Sequence, residues 1–302
     1  MDGVLVVDKP QGPTSHDIVD RVRRAFGTRR VGHTGTLDPF ATGVLAVCVG
    51  RATRLARFLS GGDKEYAATV RLGFATTTDD LTGDPLGPPA AVAIEPGALD
   101  AALAGLVGSF DQVPPAFSAK HVGGRRLYEL ARRGESVPRA ASRVTVHDVG
   151  VLTREGETLE IAVRCSAGTY VRALARDLGE RLGTGAHLVA LRRTRSGAFD
   201  LSQAVSGDGL AGAADRMIPL RGLLLDLPAV RVAEAGLRLV GHGRELGRED
   251  VVQGFPEQPV TRVRVIDESG ALVALAVPKG LGAGPSALPR VPALHPDVVL
   301  VD

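Results

Sequence analysis

The chain has 302 residues, a net charge of +2 and a hydrophobic fraction of 44%. This length fits a larger and a smaller domain, and the apolar content is enough to bury a sizeable core. No apolar run approaches the roughly 20 residues of a membrane span, and the N-terminus lacks the pattern of a secretory signal. Cys48 and Cys165 lie in apolar strand-like runs without metal-ligand spacing. We therefore expect buried thiols, no metal site and a cytoplasmic protein.

The small net charge hides an uneven distribution along the chain. Residues 1–60 carry nine Lys or Arg against five Asp or Glu, and residues 120–147 and 164–195 each carry seven against two. Residues 72–119, in contrast, contain six acids and no Lys or Arg. Three basic segments could form one positive face for a phosphate backbone, although a single such segment is usually a solvated helix face.

Apolar periodicity and turn residues predict an alternation of strands and helices in the first half of the chain. The helix after Thr14 or Ser15 has the clearest signals, because either residue can cap its start and Gly27 ends its apolar pattern. The elements predicted there are strands at residues 3–8, 44–49 and 66–72, and helices at residues 15–26, 51–59 and from Pro96 onward.

The second half is predicted to contain one long helix and several strands. These elements are helices at residues 126–133, from 168 onward and at 234–240, and strands at 144–152, 159–165, 187–195, 260–266, 272–277 and 298–301. The character of the sequence changes after Pro228, where short β-rich segments follow. We therefore expect an α+β protein with a larger domain at residues 1–227 and a small β-rich domain at residues 228–302.

The most informative segment is GHTGTLDP at residues 32–39. His33 and Asp38 are the only His, Lys, Arg, Asp or Glu side chains between Arg30 and Arg51, and an apolar strand-like run follows at residues 44–49. A carboxylate on a tight loop that leads into a core strand is typical of a catalytic residue. The alternative is an ordinary Asp-Pro turn with a solvated histidine.

Residues 32–39 resemble the catalytic motif of the TruB family, the tRNA pseudouridine-55 synthases. Further segments resemble the same family in the same order. They are DKPQGPTS at residues 8–15, KEY at 64–66, PPAFSAK at 114–120, GRRLYELAR at 124–132, CSAGTYVRALARDLG at 165–179 and LRR at 191–193. The sequence departs from the family pattern at Phe117, where Tyr is usual, and at His121, where Lys is usual.

The resemblance implies a central, mostly antiparallel mixed sheet flanked by helices, followed by a small β-rich PUA-like, RNA-binding domain. It implies that Asp38 is the catalytic carboxylate, that Arg172 pairs with it, and that the ring of Tyr66 stacks on the target base. It further implies a base pocket lined by Tyr170 and Leu191, and RNA binding or base-flip support by Lys9, His33, Arg192 and Arg193.

The implied reaction isomerises uridine to pseudouridine, which adds no atoms and changes no oxidation state, so we expect no cofactor. The expected partner is the T-stem-loop of tRNA, bound by a monomer without a protein partner. Three alternatives remain at this point. They are a non-catalytic RNA-binding or tRNA-folding protein with the same fold, a synthase that modifies another RNA, and a hydrolase that uses Asp38 and His33.

Overall fold

A computed structural model of the chain describes residues 1–117, 139–280 and 293–301, together with the backbone of residues 121–122 and 125–126. The helices are α1 (Ser15–Phe26), α2 (Ala56–Leu59), α3 (Ala98–Ala104), α4 (Val171–Leu182) and α5 (Glu234–Gly241). The strands are β1 (Gly3–Lys9), β2 (Val31–His33), β3 (Thr42–Val49), β4 (Lys64–Leu72), β5 (Gly108–Gln112), β6 (His121–Val122), β7 (Arg125–Arg126), β8 (Ser142–Glu155), β9 (Thr158–Cys165), β10 (Ala186–Ser196), β11 (Phe199–Asp200), β12 (Val205–Ser206), β13 (Ile218–Pro219), β14 (Ala229–Val232), β15 (Val251–Gln253), β16 (Val263–Ile266), β17 (Leu272–Lys279) and β18 (Ala293–Val299).

A large mixed sheet forms the centre of the molecule, with the strand order β12-β1-β3-β10-β4-β9-β8-β5. The pairs β3–β10 and β1–β12 are parallel, and the other pairs along this path are antiparallel. The short strands β2, β11 and β13 attach to β3, β10 and β1. Strand β10 lies between β3 and β4 in this sheet. The loop between β2 and β3 therefore lies close to the start of β4.

Helix α1 forms where its local signals predict. Thr14 caps it in a reciprocal capping box with Asp17, and Gly27 ends it in the left-handed conformation. Its buried face, Ile18, Val19 and Val22, belongs to the core on one side of the large sheet, together with residues of α4.

Strands β1 and β3 are buried on both faces, which explains their continuous apolar sequences. Leu5 and Leu45 belong to the core beneath α1 and α4, whereas their neighbours on each strand belong to a second core on the opposite face. Leu275 and Leu300 from the C-terminal part of the chain complete this second core.

The C-terminal part forms its own sheet, in the order β15-β14-β16-β17-β18, around a third core. Arginines of residues 50–59 tie this sheet to the first. Arg51 and Arg54 donate to the carbonyl oxygens of Leu300 (2.7 Å) and Val299 (2.6 Å), and Arg57 pairs with Asp297 (3.0 Å). The second sheet therefore packs against one face of β1 and β3, in addition to being connected to them by the chain.

The predicted α+β architecture is confirmed, and the differences concern the ends of elements and the short strands. The predicted helix at residues 51–59 is a 3-10 turn (Gly50–Leu55) followed by α2, and the last strand, β18, starts five residues earlier than expected. The sequence analysis missed the short strands β2, β5, β6, β7 and β11 to β15, because short strands depend on pairing rather than on an apolar pattern. The helix predicted at residues 126–133 lies outside the described residues, except for the backbone of Arg126 in β7.

Cys48 and Cys165 are free thiols and fully buried, as expected. Burial raises their thiol pKa values to about 12 and about 11, so both thiols are protonated and unreactive at neutral pH. Among the described residues, every helix is too short or too polar to cross a membrane.

Gly43 gives a test of how closely β3 and β10 must pack. It has a φ of +100°, and a Cβ atom there would overlap the backbone carbonyl of Arg193. We expect Gly43→Ala to lower the free energy of unfolding by about 1–3 kcal/mol, measured by urea denaturation. Gly150→Ala, in strand β8 with open space around the new methyl group, is the control and should be near neutral. Equal stability of the two variants would contradict the packing argument.

Candidate active site

The loop that carries Asp38 links β2 to β3 and is anchored to the start of α1. The Ser15 hydroxyl accepts a hydrogen bond from the Leu37 amide (2.8 Å) and donates to the Leu37 carbonyl (3.1 Å). The Ala41 amide donates to the Asp38 carbonyl (3.1 Å), which closes the turn after the aspartate. These backbone contacts fix the loop, so the direction of the Asp38 side chain is set by the scaffold.

Arg172, in the first turn of α4, meets Asp38 through two of its nitrogens. Nη2 donates to Asp38 Oδ1 (3.1 Å), and Nε lies 3.0 Å from Oδ2. The arginine is 4% exposed, whereas the Asp38 side chain is 34% exposed. The pair is thus closed on the arginine side and open on the carboxylate side. The predicted pairing of Asp38 with Arg172 is present in the structure.

The same guanidinium is held from behind by a second carboxylate. Arg172 Nη1 donates to Asp80 Oδ2 (3.2 Å) and to the Thr78 carbonyl (3.0 Å), and Nη2 also donates to the Phe117 carbonyl (2.8 Å). Residues 76–83, TTTDDLTG, resemble a TxTxDxxG pattern of the TruB family, which predicts only a structural loop. The sequence analysis therefore assigned Asp80 no role in this site. Phe117 contributes its backbone here, so the Tyr-to-Phe departure does not remove this contact.

The pKa of Asp38 reflects opposing influences. Burial raises it above its usual value, the positive charge of Arg172 opposes that rise, and the negative charge of Asp80 adds to it. Arg172 therefore helps to keep Asp38 ionised in a partly buried site.

Asp38 and Arg172 lie at a cleft of about 440 Å³. Six of the predicted residues line this cleft: Asp38, Tyr66, Tyr170, Arg172, Leu191 and Arg193. Tyr66 is largely buried, and burial raises the pKa of its phenol, so the ring is neutral at physiological pH. The cleft thus presents one carboxylate beside an aromatic ring and aliphatic walls, a surface suited to a flat, uncharged base.

Lys9 and Arg192, predicted to bind RNA, are occupied by protein partners. Lys9 is fully buried, its ammonium donates to the carbonyls of Pro10, Pro13 and Pro39, and burial lowers its pKa to about 8. Arg192 pairs with Asp8 at 2.7 Å, and its side chain is 41% exposed. RNA contact by either residue stays a prediction.

His33 is the last residue of β2, directly before the loop that carries Asp38, and its Nδ1 accepts a hydrogen bond from the Gly35 amide (3.3 Å). Burial, followed by the positive charge of Arg193, lowers the pKa of His33, which makes the neutral imidazole the form present at pH 7. Within the described ranges, no group of three or more His, Cys, Asp or Glu side chains is arranged to hold a metal ion.

Two sequence models match consecutive parts of the chain. The model of the TruB family pseudouridylate synthase N-terminal domain matches residues 23–171, and that of the tRNA pseudouridylate synthase B C-terminal domain matches residues 172–228. The chain belongs to the TruB family. The second match contains β10 and ends where the C-terminal sheet begins. An RNA-binding, PUA-like role for residues 228–302 stays a prediction.

Curated relatives of this TruB family member share its length. The tRNA pseudouridine synthase B of Solibacter usitatus is 41% identical over 99% of this chain and 100% of its own. That of Thermobifida fusca is 48% identical over 81% of this chain and 86% of its own. The recognition of the family from residues 8–193 is thereby confirmed.

Solved structures support the fold. The chain is similar to an archaeal box H/ACA Nop10–Cbf5 complex structure, with a TM-score of 0.71 and 26% identity over 99% of this chain and 86% of the other. A Cbf5–Nop10–Gar1 complex gives a TM-score of 0.72 and 28% identity over 99% and 85%. Both of these structures are complexes with protein partners, and this describes the similar proteins and not the present chain.

The charges around Asp38 predict the acid side of the pH–rate profile. Only the ionised carboxylate is active in the implied chemistry, so activity falls as pH drops through the pKa of Asp38. Because that pKa is raised, the acid limb should lie above the ordinary Asp value of about 3.9. Asp80→Asn removes a negative charge that raises the pKa, so the limb should move to lower pH. The maximal rate above this limb should fall as well, because Arg172 loses its ion pair with Asp80.

Single-turnover rates of pseudouridine formation between pH 4 and 8 measure both effects. A limb at the same pH in wild type and Asp80→Asn would contradict the assigned coupling between the two carboxylates.

Proposed function

We propose that this protein converts uridine to pseudouridine at position 55, in the T-arm loop of tRNA. The observation that carries the proposal is the Asp38–Arg172 pair, open on its carboxylate side, in a cleft walled by Tyr66 and Leu191. Family membership and full-length relatives named tRNA pseudouridine synthase B support both the reaction and the tRNA substrate.

The reaction breaks the bond from N1 to the ribose C1′ and forms a bond from C5 to C1′ on the same nucleotide. A carboxylate can serve by attacking C1′, by attacking C6, or by removing a ribose proton, and each course leaves the atom balance unchanged. In each case Asp38 must be ionised and directed at the nucleotide. Arg172 supplies both requirements through its charge and its two nitrogens.

The cleft also fits the need to hold a base outside its stack. Flipping a nucleotide costs a few kcal/mol, which stacking on an aromatic ring in the pocket offsets. The neutral ring of Tyr66 is the stacking surface in this proposal, and Leu191 and Tyr170 fill the walls. The detached uracil stays between these side chains while it turns to present C5.

The partner expected for this site is the T-stem-loop of tRNA, bound by a monomer in the cytoplasm. The basic segments at residues 1–60 and 164–195 carry nine and seven Lys or Arg, and in this proposal they supply the positive charge that attracts the RNA backbone. The C-terminal sheet, with eight basic and nine acidic residues from Arg231 onward, is close to neutral. We infer that it contributes less to electrostatic attraction than the first sheet does.

The alternatives receive less support from the site. A non-catalytic RNA-binding protein would not require a carboxylate held between a cation and an aromatic wall. A hydrolase that uses His33 as a base requires a free lone pair on the ring. Because Nδ1 accepts from the Gly35 amide, the neutral imidazole carries its proton on Nε2 and has no such lone pair. A different RNA substrate is tested directly by the mapping experiment below.

Asp38→Asn keeps the shape of the side chain but removes the charge, so pseudouridine formation should become undetectable. Binding of tRNA should stay within a few-fold of wild type. The assay maps pseudouridine at single-nucleotide resolution in an unmodified tRNA transcript. Asp208→Asn, an exposed aspartate paired with Arg21, is the control and should be fully active. Turnover by Asp38→Asn, or modification by wild type only outside the T-arm, would contradict the proposal.

His33→Ala tests whether the histidine is an acid–base catalyst. We expect a much smaller loss of activity than for Asp38→Asn, since His33 braces the loop and is already neutral at pH 7. The pH–rate profile of wild type should show no ionisation near the ordinary His pKa of about 6.5. An ionisation there that disappears in His33→Ala would make His33 a proton-transfer group instead.

A further inference from the structure

Arg193 is a buried cation whose partners are backbone carbonyls. It is 2% exposed, and none of the ion pairs among the described residues involves it. Its Nε donates to the carbonyl of Val44 (2.8 Å), Nη1 to that of Thr36 (3.3 Å) and Nη2 to that of Gly35 (3.1 Å). Burying a guanidinium without a carboxylate is costly, and the carbonyl dipoles are what offset that cost here.

These three contacts join the loop that carries Asp38 to the sheet. The carbonyls of Gly35 and Thr36 belong to the loop, three and two residues before Asp38. The Val44 carbonyl lies in β3, six residues after Asp38. The loop is held on its other side by Ser15, through both backbone groups of Leu37. Residues 35–37 are therefore fixed between α1 and the Arg193 side chain.

The same side chain also reaches the residue proposed to stack on the base. In the antiparallel pair of β10 with β4, Arg193 lies directly opposite Tyr66, on the same face of the sheet. Burial raises the pKa of the Tyr66 phenol, and the adjacent Arg193 opposes that rise. Arg193 thus touches both the carboxylate loop and the aromatic wall.

We infer that Arg193 is a positioning residue: its guanidinium sets the distance between the Asp38 loop and Tyr66, and it acts through their geometry and not by contacting RNA. This inference rests on the proposed function. It also separates Arg193 from Arg192, its neighbour on β10, whose side chain is partly exposed and paired with Asp8.

Two substitutions separate geometry from charge. Arg193→Lys keeps the positive charge but replaces a planar fork of donors with a single ammonium, which cannot reach three carbonyls in the same directions. Arg193→Gln removes the charge as well. We expect single-turnover pseudouridine formation at saturating enzyme to fall at least 10-fold in Arg193→Lys and further in Arg193→Gln. Arg154→Gln removes a charge from an exposed arginine of β8, outside the basic segments, and should leave the rate unchanged.

RNA affinity distinguishes positioning from phosphate contact. The dissociation constant for tRNA and its slope against salt are measured in an Asp38→Asn background, with and without Arg193→Lys and Arg193→Gln. We expect affinity within two-fold and an unchanged slope in every pair. Weaker binding and a smaller slope for Arg193→Gln, with Arg193→Lys restoring both, would make Arg193 a phosphate contact and overturn the inference.

The acid limb of the pH–rate profile distinguishes positioning from a general loss of folded protein. A displaced loop moves Asp38 away from Arg172, so the limb should shift to higher pH in Arg193→Lys, whereas a smaller folded fraction lowers the whole profile without moving the limb. Rates are corrected for the folded fraction from thermal melting, and Arg193→Lys decides the outcome if Arg193→Gln does not fold. A wild-type rate and limb in Arg193→Lys would overturn the inference. Absence of pseudouridine with wild type would instead overturn the proposed function.

Discussion

The site depends on the Arg172 guanidinium, which lies between the carboxylates of Asp38 and Asp80. The three residues come from three segments: the start of α4, the loop between β2 and β3, and the loop after β4. Removing one partner of a buried ion pair leaves an uncompensated charge and costs about 3–5 kcal/mol. The arrangement therefore couples the position of the reactive carboxylate to the packing of α4 and of the Asp80 loop. It also sets the charge balance that keeps Asp38 ionised.

Two other buried cations, Lys9 and Arg193, hold the Asp38 loop by its backbone. Arg193 binds the carbonyls of Gly35 and Thr36 before Asp38, and Lys9 binds the Pro39 carbonyl after it. Turning these carbonyls inward satisfies the buried cations and leaves the Asp38 side chain at the cleft. One set of contacts thus fixes the geometry of the loop on both sides of Asp38.

The sheet beneath this loop is supported from both sides. One face of β1 and β3 packs against α1 and α4, and the other packs against the C-terminal sheet through Leu275 and Leu300. The C-terminal sheet therefore stabilises the strand that presents the catalytic loop, whatever its share in binding RNA. Residues 228–302 can support the first sheet and also form the small RNA-binding domain that the sequence predicts, because the two roles are compatible.

The sequence by itself determined the elements with local signals. Thr14 and Gly27 bound α1 because caps and left-handed glycines act within a few residues, and the motifs around Asp38, Tyr66 and Arg172 indicated the family. The tertiary structure decided which charges work together. Arg192 and Arg193 are adjacent and chemically identical, yet only Arg193 is buried, since successive strand residues point to opposite faces and strand pairing decides which face is interior. The contact between Asp80 and Arg172 also depends on the tertiary structure, because the two residues are 92 positions apart and only the fold brings them together.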